Sequence, residues 1–428
     1  MSEMPARLVP PPRIGRLDAA LVAAWLAAAL PGLVLVKQQF TGYVGLVWLG
    51  FCIWHWRSLR GHPEGRRMLR SPFAMGFIGS VLLLALLLLI HRSDDWGQLH
   101  NPSRFVLVLP MAVAVAVLRP SCRPYFGIAA CAGLLGAAVA VWQVLITAQV
   151  GPLDAHLGFT NRNKFAYVVG TLLLVTLAGL RLPPGERPPR ALLLAGALGA
   201  LVALVLANTR GAWLAVLVPL GVWLLASRAL PVRGRVLAAT ASVLLVAGLV
   251  ATPGSPVRDR IELGLQQYEA YTPGHVIAGD SVAERLEMWR ASLVMADAHP
   301  WIGIGPGRFN EGLGEMIAAG EAPASLSTQG HPHSEYLEAL ATGGVVGLIA
   351  LLAALLGPLV HFIMVLRRGE PGRSASRACA LAGALVVGAT IIFCATDPFF
   401  YIHFSTLYYA LSVALLAGFA DAAARNGG

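Results

Sequence analysis

The chain has 428 residues, of which 57% are hydrophobic and only 13% charged. Soluble domains carry about 25% charged residues, so this composition excludes an ordinary soluble domain and makes a bilayer the expected solvent. The formal net charge of +10 could mean a nucleic-acid partner, so where the charge lies decides its meaning.

The N-terminus carries arginines and prolines but lacks a short apolar core followed by a small-residue cleavage site. The first apolar run is therefore expected to be a retained helix, not a signal peptide. Apolar runs cover 17–36, 41–56, 72–90, 105–118, 125–146, 164–180, 191–207, 211–227, 236–251, 337–366, 378–396 and 404–420. A straight helix needs roughly 20 residues to cross about 30 Å of hydrocarbon. The runs 41–56 and 105–118 thus depend on flanking tryptophans or arginines. Pro31, Pro219 and Pro358 lie inside runs, where neighbouring helices tolerate kinks. The expected architecture is an all-α integral membrane protein of about twelve transmembrane helices. Residues 1–251 carry nine of them, 252–336 form a large polar loop with amphipathic helices, and 337–428 carry the last three. Cys52, Cys122, Cys131, Cys379 and Cys394 fall in apolar runs or a short basic turn, so no disulfide framework or zinc cluster is expected in the loop.

Lys and Arg concentrate in cytoplasmic turns of membrane proteins. With the N-terminus inside, alternate turns hold 21 of the 32 basic residues, and the acids divide six inside and sixteen outside. The inside then carries +15 and the outside −5. The basic excess is a topology signal, with both termini cytoplasmic, and not a nucleic-acid footprint. Against this bias stand Arg104 in the turn His100–Phe105, Arg162 and Lys164 in Gly158–Lys164, and Arg210 in Asn208–Leu214, all on the face that carries the long loop. One reading has them snorkelling to headgroup phosphates. The other has them binding a diphosphate through bidentate guanidinium contacts, with Arg210 in a helix first turn that itself favours anions.

Within the loop, Asp280–Met295 reads as an amphipathic helix capped by Asp280 or Ser281, with Leu286, Trp289 and Leu293 on its apolar stripe. Arg285 and Trp289 share a face. The stretch His299–Phe309 breaks that helix. Its glycines are spaced as in phosphate loops, but no strand precedes them and no Gly-Lys-Ser/Thr follows, so a tight turn laying the loop on the membrane face is expected instead. A second short helix is expected from Phe309 to about Ala319. His331 and His333 then precede the next apolar run. A metal site is disfavoured, because no carboxylate cluster accompanies them. An interfacial histidine and a general base both remain open on these residues alone.

At these residues the chain resembles the O-antigen ligase family, within the membrane glycosyltransferases that include O-antigen polymerases and protein O-oligosaccharyltransferases. The motifs are His333 with Gly344 eleven positions later and Leu337 in register; Arg210-x-x-x-Leu214; Arg285-x-x-x-Trp289 followed by Pro300, Gly303, Gly305 and Phe309; Asn161-x-Asn163; and Asn101-Pro102-Ser103-Arg104. Ser334 stands where many relatives carry Asn. The resemblance implies an inverting, metal-independent and cofactor-free transferase of the Gram-negative inner membrane, active on the periplasmic side. Its donor would be O-antigen on undecaprenyl diphosphate and its acceptor a sugar hydroxyl of lipid A–core. His333 would be the base, and Arg210 and Arg285, with Arg162, Arg104 or Arg290, would hold the diphosphate. Asn161, Asn163, Trp289, Ser334 and Gly344 would support them. A polymerase on the same lipid carrier, a protein O-oligosaccharyltransferase and a lipid-carrier flippase are the alternatives. The near absence of charge within the runs argues against ion-coupled transport.

Overall fold

The computed structural model describes residues 19–147, 162–226, 233, 256–274, 276, 281–368 and 374–423. The ninth apolar run (236–251), Asn161 and Asp280 lie outside the described residues. Each of the other eleven runs contains a helix. Before the polar segment come α1 (Ala19–Val34), α2 (Phe40–Trp54), α3 (Pro72–Ile90), α4 (Ser103–Leu107), α5 (Leu109–Leu118), α6 (Arg123–Thr147), α7 (Arg162–Gly179), α8 (Arg190–Leu206) and α9 (Arg210–Ala226). Within it lie α10 (Pro256–Glu269), α11 (Ser281–Ala298) and α12 (Phe309–Ala318). After it come α13 (Glu335–Arg368), α14 (Ala375–Cys394) and α15 (His403–Ala423). Six stretches (α3, Trp96–Leu118, α6, α13, α14 and α15) are long and apolar enough to cross a membrane, while α1, α2, α8 and α9 are apolar but shorter. This is a multi-pass helical membrane protein. The short 105–118 run is completed upstream: a 3₁₀ turn at Trp96–Leu99 and α4 precede α5, whose residues are nearly all buried.

Lipid offers no hydrophobic drive between helices, so association depends on close packing at small residues. Gly133 of α6 lies against the Gly196 carbonyl of α8, and Gly76 of α3 lies against Gly357 of α13. The most enclosed spans are α14 and α15. Helix α14 packs against α15, α13, α7 and α9. Gly211, at the start of α9, meets Thr396 just past the end of α14. Asn163, at the start of α7, bonds Asp397, and the Tyr336 hydroxyl at the start of α13 donates to the Ile391 carbonyl at 2.8 Å. Three helix N-termini therefore gather where α14 ends, on the side that carries the polar segment.

The run 337–366 is not one continuous helix. Gly344 has φ 59° and ψ −153°, breaking α13 into two halves. The break is filled by the loop after α11. Ile304 and Gly305 amides donate to the Ala341 and Thr342 carbonyls at 3.0 and 2.9 Å, and the Val345 and Val346 amides donate to the Pro300 and Trp301 carbonyls at 2.8 and 3.1 Å. The Nε2 of His91 also lies 2.9 Å from the Ile302 carbonyl. Backbone groups orphaned by the break must find partners when buried, and the Pro300–Gly305 turn supplies them. The glycine-rich turn thus docks into a helix, a different role from the expected one of laying the loop on the membrane face.

The polar segment has a small core of its own, in which Met288, Met295, Phe309, Leu313, Leu326 and Ala341 tie α11 and α12 to the first half of α13. Beside it Glu287 is fully buried. Its carboxylate accepts from the Tyr271 hydroxyl (2.7 Å), the Gly274 amide (2.8 Å) and Arg290 Nε (2.9 Å). Burial pushes this carboxyl up, but the three donors together hold it below its ordinary value. A depressed carboxyl stabilises the fold fully above the unfolded value of about 4.3, and the gain fades as acid protonates it. Glu287→Gln is therefore expected to cost about 2 kcal/mol at pH 7, the scale of hydrogen bonds to a charged group. Thermal melts should show the gap to the wild type closing below about pH 4; a gap independent of pH would contradict this account.

Candidate active site

The candidate base, His333, has φ 52°, in the left-handed region. Such strain tends to persist at functional sites, where the surroundings over-determine it. The surroundings here are specific. Trp289 Nε1 donates to the Pro332 carbonyl at 2.9 Å, fixing the residue before His333 to α11. The Ser334 carbonyl accepts the Glu338 amide at 3.0 Å, starting α13 directly after it. The His331 and His333 rings meet edge to face with centroids 4.6 Å apart.

His333 Nδ1 lies 3.9 Å from Asp397 Oδ1, close enough for an ion pair once the imidazole is protonated but too far for a hydrogen bond. Asp397 is held in turn by Asn163 Nδ2, which donates to the same oxygen at 3.1 Å. Cations gather near this pair. Arg285 interacts electrostatically with Asp397 and Arg162, and Arg210 with Arg285 and Arg162. Lys164 also senses Asp397. Burial above all, with Arg162 adding to it and Asp397 opposing, holds the Arg285 guanidinium below its ordinary value. Burial and then His333 do the same to the His331 imidazole, which interacts with Arg285 and Asp397 too. Gly264 of α10 comes so close to the Arg210 guanidinium that a Cβ there would collide with it. Three arginines and a lysine thus stand against two carboxylates, Asp397 and Glu284, a charge balance that attracts an anion. Two helix N-termini, those of α7 and α9, add their dipoles.

With this geometry in view, residues 195–352 match the family model described as O-Antigen ligase. Over this part the chain is similar to the O-antigen ligase family. An uncharacterized protein of Haemophilus influenzae is 21% identical over 282 residues, covering 65% of this chain and 69% of that protein. The matched stretch contains Arg210, Arg285, His333 and Gly344, while Arg162, Asn163 and Asp397 come to the site from outside it.

Two residues expected at this site are engaged by other partners. Arg104 is buried, with its guanidinium donating to the His100 carbonyl at 2.8 Å and contacting Asn101 Oδ1 and the ring of His403. That cluster joins α4 to α15. Arg290 points to the opposite side of α11 from Arg285, where it pairs with Glu287 and donates to the Glu321 carbonyl at 2.6 Å. Its charge is already compensated there. Conversely, Asp397 and Glu335 were not among the expected site residues. Glu335 Oε2 accepts the Phe399 and Phe400 amides at 2.6 and 3.0 Å, which fastens the turn carrying Asp397 to the start of α13. The only local signal for Asp397 is an acid in the short turn between the last two apolar runs.

Proposed function

We propose that the chain transfers O-antigen polysaccharide from undecaprenyl diphosphate to a sugar hydroxyl of lipid A–core, in the periplasm-facing leaflet of the inner membrane, with inversion and without a metal. Twelve spans with cytoplasmic termini would put the polar segment in the periplasm. The observation that carries the reading is His333 beside Asp397, with Arg285 in electrostatic reach of Asp397 and Arg162 and Arg210 in reach of Arg285. The acceptor hydroxyl gives its proton to His333 as its oxygen bonds the anomeric carbon. The bond from that carbon to the diphosphate oxygen breaks, and undecaprenyl diphosphate leaves with the electron pair. Asp397 stabilises the imidazolium, and the arginines stabilise charge growing on the leaving group. The proton then passes from His333 to the departing diphosphate or to water.

Purified protein given lipid-linked O-antigen and lipid A–core should make high-molecular-weight lipopolysaccharide, unaffected by EDTA. Longer lipid-linked chains without it would instead identify a polymerase. Arg210→Ala and Arg285→Ala should each weaken binding of undecaprenyl diphosphate roughly 10- to 100-fold, the loss of about 1.5–3 kcal/mol of charged hydrogen bonding. Because these cations repel one another, neither change should lower Tm. Unchanged donor binding would remove these residues from the site.

A further inference from the structure

A concave feature near His333 is lined by none of the site arginines. A cavity of about 420 Å³ is enclosed by α3, the turn around Trp96–Leu99, the first half of α13 and the Phe400–Tyr401 turn. This is within the range of about 300–1,000 Å³ that small ligands occupy. Gln98, Asn101, Glu338 and Tyr401 contribute polar groups, while Leu84, Leu351 and Ala354 line it deeper along α3 and α13. None of Arg162, Arg210 and Arg285 lines it.

The polar groups in this cavity are nearly all engaged. Asn101 Nδ2 donates to the Tyr401 carbonyl at 2.6 Å, Gln98 Nε2 to Asp95 at 2.7 Å, and Glu335 holds the Phe399 and Phe400 amides. Glu338 differs. Its Oε2 is buried and has no hydrogen-bond partner among the described residues, and the Thr342 hydroxyl beside it donates to the Glu338 backbone carbonyl instead, at 2.7 Å. A buried carboxyl oxygen without a donor is unfavourable. A carboxylate accepts hydrogen bonds and a protonated carboxyl also donates, so a hydroxyl, which does both, fits as the missing partner in either state.

The cavity also sits within one residue layer of the base. Tyr401, on its wall, packs its ring 5.9 Å from that of His331, which touches His333. Glu335, also on its wall, is two residues from His333. We propose that this cavity is the acceptor subsite: a hydroxyl-rich saccharide of the acceptor glycolipid donates to Glu338, and an adjoining sugar presents its hydroxyl to His333. The acceptor hydroxyl and the diphosphate must then meet opposite faces of the anomeric carbon, with His333 on the acceptor's side. The assignment rests on the glycosyl-transfer reading above.

Calorimetric titration of the purified protein with core oligosaccharide freed of lipid A tests it without requiring turnover. The wild type should bind. Glu338→Gln, isosteric and expected to fold, should bind about tenfold more weakly, and Glu338→Ala more weakly still. Binding of undecaprenyl diphosphate should not change, and thermal melts check that each variant is folded. A wild type that does not bind the oligosaccharide, or a folded Glu338→Gln that binds it within twofold of the wild type, would overturn the assignment. Glu338-dependent binding with no transfer from the lipid-linked donor would instead sink the transfer reading and leave the saccharide site standing.

Discussion

Replacing His333 with Asn should reduce transfer by about 10²- to 10⁴-fold, the usual contribution of a positioned general base, while leaving Tm within a degree or two of the wild type. The separation of the two effects is the point of the experiment. Asn, like His, is among the residues that tolerate the left-handed backbone found here, so the substitution adds no strain at φ 52°. Little else in the fold depends on the ring. Its Nδ1 makes no hydrogen bond among the described residues, and its side chain is 26% exposed. The turn is held by neighbours instead, by Trp289 through the Pro332 carbonyl and by the first bond of α13. An interfacial histidine with a merely structural role would show the reverse pattern, a lower Tm with turnover kept. Transfer within tenfold of the wild type would end the case for a base at this position.

The parts of this site that were legible in the sequence share a cause. Arg162, Arg210 and Arg285 stood out because a basic residue outside the membrane goes against the charge bias of the turns, and Trp289 because it shares a helix face with Arg285. The helices were legible for the simpler reason that a bilayer demands apolar runs. Arg104 stands out by the same logic, but its guanidinium is held against the ring of His403, 299 residues further on, and no local pattern reports that. The partner of Arg290 is legible in the sequence, since Glu287 three residues earlier is an ordinary helical ion-pair spacing. Asp397 was the opposite case. It is one of several outside acids, and it becomes the partner of His333 only because α14 delivers the turn after it to the starts of α7, α9 and α13. Packing of distant helices set that position, and packing was beyond the reach of periodicity and charge counting.

Gly344→Ala should be the most damaging single change to the fold. The conformation at φ 59°, ψ −153° is essentially reserved for glycine. A Cβ there would also strike backbone, the Trp301 carbonyl carbon and the Ile302 nitrogen, which cannot swing aside as a flexible side chain could. Relief requires the Pro300–Gly305 turn to withdraw from the break, and withdrawal strips partners from the Ala341 and Thr342 carbonyls and the Val345 and Val346 amides. Backbone strain of about 1–3 kcal/mol and several hydrogen bonds at about 1 kcal/mol each put the loss at roughly 3–5 kcal/mol, a large part of a typical stability. Gly79→Ala in α3 is the matching control, because a Cβ there meets nothing within 4 Å and helical Gly→Ala changes gain up to about 1 kcal/mol. Detergent-solubilised Gly344→Ala should therefore melt well below the wild type while Gly79→Ala melts at or above it. Equal Tm values for all three would mean that the turn and the break do not hold each other. The break would then not set the angle between the half of α13 that begins beside His333 and the half that crosses the membrane.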